Sequence, residues 1–177
     1  MRKIALALLS AALITPAMAQ AAEPPCLTAA EFTSLSSYAL PSVIKGVAQQ
    51  CSATLPADAF LRSKGDELST RYARAKPGAW PGAKAAFLKM SNGTNDQAAQ
   101  LIRGLPDTTL QPMVDGLIEG MVSQQLRPQR CGTIDRLVRL LAPLPPENTA
   151  ELIGLAAGLG SHTGTRKVGA ISLCPAS

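Results

Sequence analysis

The stretch Asp107-Thr-Thr-Leu-Gln-Pro-Met-Val-Asp-Gly-Leu-Ile-Glu-Gly-Met-Val122 decides the fold class. Leu110, Val114, Leu117, Met121 and Val122 recur three and four residues apart, the period of one side of a helix. Asp107 is placed to cap its start, and Arg127-Pro128 marks its end. No part of the stretch alternates at period two, so it predicts an amphipathic helix packed on something apolar.

The same pattern extends outward in both directions. Upstream, Trp80, Ala83, Phe87 and Met90 fall on one helix face, Ser91-Asn-Gly-Thr-Asn95 is a turn cluster, and a short helix is expected over Gln97 to Arg103. Downstream, Thr133 is the expected cap of a helix with Ile134, Leu137, Val138 and Leu141 inward. Pro143-Leu-Pro-Pro146 then separates it from a last helix bearing Leu152, Ile153, Leu155 and Leu159. Thr28-Ala-Ala-Glu31 has the form of a capping box, in which each side chain satisfies the other residue's orphan amide. It opens a helix over Thr28 to Ala39, with Pro41 expected in the first turn of a new one. A further helical region spans Ala57 to Ala75, with Gly65 marking a break and Lys76-Pro77-Gly78 its end. Only Val168 to Leu173 suggests a strand. The fold class is therefore all-α, a single compact domain of about six to eight helices.

The chain begins with a different kind of segment. Arg2 and Lys3 precede an apolar run from Ile4 to Ile14, and Ala17-Met-Ala19 supplies the small-x-small pattern that signal peptidase cleaves. The run is too short to cross a bilayer, which takes roughly 20 apolar residues. Residues 1–19 are thus expected to be a signal peptide, with an alternative cleavage after residue 21, leaving residues 20–177 as one helical domain. Export makes the protein periplasmic or secreted. The formal charge of the whole chain is +5, and losing Arg2 and Lys3 leaves the mature part mildly basic.

Cys26, Cys51, Cys131 and Cys174 all follow the signal, an even number in a chain bound for an oxidising compartment. Two disulfides are expected. A loose echo between Cys26-Leu-Thr28 and Cys131-Gly-Thr133, each opening a helical hairpin, favours pairing Cys26 with Cys51 and Cys131 with Cys174. That pairing requires the chain to turn at Pro41. If the helix runs on through Pro41, Cys26 and Cys51 lie roughly 30 Å apart and cannot join.

No catalytic, cofactor-binding or metal-binding constellation emerges. His162 is the sole histidine and sits in a polar loop, where a solvated ring is the expectation. Asp115 and Glu119 stand four apart on one helix face, a spacing at which two carboxylates can share a proton, but an exposed helix face is the expectation. Met113 and Met121 are read as core beside Leu117. The segment that stands out is basic: Arg127, Arg130, Arg136 and Arg139 fall within thirteen residues with Asp135 as the one acid among them. A solvated, solubilising face is the first expectation for such a segment; its functional reading is a face for an anionic partner, a lipid head group, polyanionic glycan or acidic protein. Nucleic acid is disfavoured by the compartment and by aromatics that mostly fall on inward faces.

Three phrases, Ala79-Trp-Pro-Gly-Ala-Lys-Ala-Ala-Phe-Leu-Lys-Met90, the Cys131-Gly-Thr-Ile-Asp-Arg136 opening and Leu141-Ala-Pro-Leu-Pro-Pro-Glu-Asn148, resemble a group of small exported bacterial helical proteins with no assigned activity. The resemblance implies membership and no chemistry. The expected function is a non-catalytic interaction or accessory module that binds an envelope protein or anionic envelope component without a cofactor. The alternative is a periplasmic hydrolase of an envelope polymer acting through Glu119 or His162.

Overall fold

A single long helix organises the molecule, because its apolar residues point in every direction and need cover on every side. In the computed structural model, which describes residues 25–91, 96–158, 166–168 and 171–175, this is α1 (Ala29–Cys51). Its start is the capping box read from sequence: the Glu31 amide donates to the Thr28 hydroxyl at 3.2 Å and the Thr28 amide to the Glu31 carboxylate at 2.8 Å. The expected break at Pro41 does not occur. Proline removes one intrahelical hydrogen bond and crowds the preceding turn, yet α1 continues because other helices surround it. Pro41 is buried, and its carbonyl accepts a hydrogen bond from Ser69 of α2 (Phe60–Ala73) at 2.9 Å.

Around α1 pack α2, α3 (Lys76–Ser91), α5 (Asp107–Gln125) and α7 (Pro146–Gly158), with α4 (Asp96–Arg103) against α3 and α6 (Cys131–Leu141) against α2. The all-α class is what the structure shows. The break expected at Lys76-Pro77-Gly78 falls just before it, α2 ending at Ala73, and the three residues form the first turn of α3, where a proline forfeits only an amide that would have lacked a partner. Gly65 is no break. It lies inside α2 where a Cβ would stand 3.2 Å from the Ala48 Cβ of α1, so its missing side chain lets the two helices approach. Gly82 of α3 does the same against Ser34, and Gly154 of α7 against Thr33.

The covered surface of α1 divides into two cores. Towards its start, Phe32, Leu35 and Tyr38 pack with Trp80, Leu110, Val114 and Leu173, and the Tyr38 and Trp80 rings lie 4.9 Å apart, a favourable tilted pair. Towards its end, Ile44, Val47 and Cys51 meet Leu61, Leu68, Tyr72 and Cys131. The Tyr72 hydroxyl is satisfied by Thr149 at 2.9 Å and the Leu144 carbonyl at 3.2 Å.

Two disulfides fasten this arrangement, and neither is the pair the echo favoured. Cys26 joins Cys174 and Cys51 joins Cys131, with Cα atoms 4.9 Å and 5.5 Å apart. The continuous α1 is the physical reason: it separates Cys26 from Cys51 by its whole length. The expected strand is real but short. β1 (Arg166–Val168) and β2 (Ile171–Leu173) form an antiparallel pair, and Leu27 bridges Leu173 through amide bonds of 2.8 Å and 2.9 Å, which brings Cys26 beside Cys174.

The face of α5 is also revised. Leu110, Val114 and Ile118 are buried against α1, whereas Met113, Leu117 and Met121, read as core from sequence, are 52%, 51% and 42% exposed. Asp107 is the first residue of α5 and makes no side-chain cap, and Thr133 lies inside α6 rather than at its cap. No helix among the described residues is long and apolar enough to cross a membrane.

Candidate functional site

Between α5 and α6 the chain makes a single 3-10 turn, Pro128–Arg130, and enters α6 at a buried cysteine. Cys131 is tied to the last residue of α1, and Ile134 and Val138, one and two turns on, rest against the second core. These contacts fix which way α6 faces. Asp135 turns inward, where its carboxylate accepts the Leu61 amide at 2.7 Å and so satisfies a free donor at the start of α2. The only acid in the basic segment is therefore occupied by a structural bond.

The outward side is what remains. Arg127, Arg130, Arg136 and Arg139 are all exposed, and none forms an ion pair among the described residues, where every salt bridge uses lysine. Leu137, expected inward, is 53% exposed, and Leu140 is 67% exposed. Cys131, Ile134, Val138 and Leu141 already form the inward stripe, which leaves Leu137 and Leu140 on the flank beside Arg136. The structure thus brings the four sequence-predicted arginines onto one segment and adds two leucines that sequence reasoning had missed. A shallow cavity of about 340 Å³ opens at one side of this ridge, with Leu55 and Phe60 on its apolar wall and Asp58 and Arg139 at its polar edge.

A second polar cluster joins α1, α3 and α5. The Lys76 ammonium donates to both oxygens of Asp115 at 2.6 Å, and the Ser42 hydroxyl donates to the same carboxylate at 3.0 Å. The ammonium also lies 4.4 Å from the centre of the Tyr38 ring, a cation–π distance. Burial first, then the Asp115 charge, pushes the Tyr38 phenol well above its ordinary value, and its hydroxyl donates to the Gln111 carbonyl at 3.3 Å. Both the lysine and the serine donate hydrogen bonds to the carboxylate, so the cluster joins three helices.

Asp115 and Glu119 do not share a proton. Glu119 instead pairs with Lys45 at 3.3 Å, so each carboxylate has its own cation. His162 lies outside the described residues. Among the described residues no three His, Cys, Asp or Glu side chains are grouped to hold a metal ion.

No family model, curated protein or solved structure matches this chain. The chemistry of its surface is therefore the ground on which a function can be argued.

Two features of that surface differ in kind. The Lys76–Asp115–Ser42 cluster is internally satisfied, each charge meeting its opposite within hydrogen-bond distance. The α6 ridge is not: its arginines form no ion pair among the described residues, and Leu137 and Leu140 are exposed beside them.

Proposed function

We propose that the chain is an exported interaction module, locked by two disulfides, that engages an envelope partner through the ridge formed by the 128–130 turn and α6. The observation that carries this reading is the set of four exposed arginines without ion pairs, Arg127 and Arg130 at the 3-10 turn and Arg136 and Arg139 beside exposed Leu137 and Leu140 on a helix pinned by a buried disulfide. Two disulfides suit an oxidising compartment, the periplasm or the cell exterior, which agrees with the signal peptide expected over residues 1–19. Membership of the group of small exported helical proteins belongs to the same proposal and rests on the three sequence phrases.

The reading is tested by crosslinked affinity capture from the periplasm of the native cell, comparing the wild-type chain with an Arg136→Glu, Arg139→Glu variant. A stoichiometric partner or envelope component retained by the wild type and lost by the variant supports it, provided both melt at nearly the same temperature. Equal retention by both would remove this face from the function.

A further inference from the structure

We infer that the partner of the α6 ridge is an anionic phospholipid surface, on which the helix lies flat with Leu137 and Leu140 among the acyl chains and the arginines at the head groups. The inference rests on the interaction reading above and names its partner.

Charge is the first argument. The segment from Arg127 to Arg139 carries four arginines against one aspartate, and that aspartate faces inward onto the Leu61 amide. An approaching surface therefore meets four arginines, with Asp58, at the cavity beside Arg139, as the exposed acid next to them. A guanidinium offers a rigid fork of donors matched to phosphate oxygens, and each basic side chain near an anionic leaflet strengthens partitioning by roughly fivefold.

Apolar exposure narrows the choice. Leu137 and Leu140 are more than half exposed, three residues apart, and Arg136 stands four before Leu140 on the same side. A polyanionic glycan would answer the arginines and leave both leucines in water. A lipid interface answers both, since long basic side chains keep their heads at phosphate level while neighbouring apolar groups enter the hydrocarbon edge.

Shape is the third consideration. α6 packs against α2 and is held at its start by Cys51–Cys131, so it stands as a ridge on the body of the protein. An acidic protein partner would need a complementary groove, whereas a bilayer receives a convex helix without one. Four cations and two part-buried leucines predict reversible attachment with a partition constant on the order of 10⁴ per molar, about that of a single acyl anchor.

The test is co-sedimentation of the chain, purified after export, with vesicles of phosphatidylcholine containing phosphatidylglycerol, and with phosphatidylcholine alone. Binding is expected to the anionic vesicles, to be absent from the neutral ones, and to fall steeply with added salt. Arg136→Gln with Arg139→Gln should weaken partitioning by about 25-fold, as two cations at fivefold each predict. Leu137→Ser with Leu140→Ser should weaken it by at least about tenfold, because their exposed area no longer enters the bilayer. Lys45→Gln, a cation outside the ridge, should leave it unchanged.

Binding that survives the leucine changes, or that a soluble polyanion reproduces in full, overturns the lipid assignment in favour of a glycan. No vesicle binding, together with a protein captured by wild type and lost with Arg136→Glu and Arg139→Glu, also overturns it while leaving the interaction reading intact. Failure of both experiments removes both.

Discussion

Replacing Gly82 with alanine offers a test of how closely α3 lies on α1. A Cβ built at Gly82 falls 2.6 Å from the Ser34 Oγ and 2.7 Å from the Ser34 Cβ. The hydroxyl can rotate away, but the Cβ is fixed to the α1 backbone, and two carbons normally approach no closer than about 3.5 Å. The helices must therefore separate by close to an ångström along a contact that also seats Trp80 and Ala83. Overpacking of this kind costs about 1–3 kcal/mol, while alanine in place of glycine inside a helix returns up to ~1 kcal/mol. The expected net loss is about 1–2 kcal/mol, a fall in Tm of about 3–8 °C for a chain of this size. Gly116 of α5 supplies the control, since a Cβ there meets nothing within 4 Å, and Gly116→Ala should raise Tm by a few degrees through propensity alone. Circular dichroism during a thermal ramp reads both. Adding Ser34→Gly to Gly82→Ala should recover part of the loss by removing the obstructing carbon, against the intrinsic cost of a new helical glycine. A Gly82→Ala protein as stable as Gly116→Ala would refute the close approach.

Three further outcomes follow from named bonds. Removing the outer disulfide with Cys26→Ser and Cys174→Ser leaves the inner one in place; the 148-residue separation less the 80 spanned by Cys51–Cys131 is a ring of about 70 residues, worth about 4 kcal/mol in the chain-entropy model and readable as a drop in denaturation midpoint. Burial raises the Glu31 carboxyl, but the Lys89 ammonium and the Thr28 amide and hydroxyl outweigh it and hold the group below its usual value of 4.5. Its stabilisation is thus present above that value and lost as pH falls below it and through the lower value the folded state sets. Glu31→Gln should cost ~1 kcal/mol at neutral pH and flatten the acid limb of a Tm-against-pH curve. Tyr38 behaves oppositely: its raised phenol contributes stability that is full below pH ~10 and declines as pH rises further. Asp115→Asn should bring the Tyr38 titration down towards its ordinary value in an ultraviolet difference spectrum, and an unmoved titration would argue against the contact.

Local signals were legible in sequence and long-range ones were not. The Thr28–Glu31 capping box involves four consecutive residues and forms as read. Trp80, Ala83, Phe87 and Met90 also lie on the first core as their spacing implies. Pro41 misled because its effect depends on neighbours hundreds of atoms away along the chain: alone it ends a helix, but clasped by α2 and its companions it is tolerated. On α5 two apolar stripes run side by side, Leu110–Val114–Ile118 and Met113–Leu117–Met121, each at a spacing of four. Periodicity identifies the helix and cannot say which stripe finds a partner. The same ambiguity on α6 put Leu137 inward. The arginines of the candidate face were visible as composition, but that the Asp135 carboxylate is taken up by the Leu61 amide, and forms no ion pair with them, requires the α2 start it caps.

The bridges are nested, first cysteine to fourth and second to third. A chain that emerges N-terminus first therefore presents Cys26 and Cys51 to an oxidant before either true partner has arrived. In a flexible chain these two would be the natural first couple, and rescue would need a disulfide isomerase. The 23 residues of α1 span about 34 Å once helical. Pro41 is tolerated only once α2 and its companions are packed on α1, and in that folded state the length of the helix holds Cys26 and Cys51 beyond reach of one another, so a Cys26–Cys51 bridge has to be broken before the native fold can close.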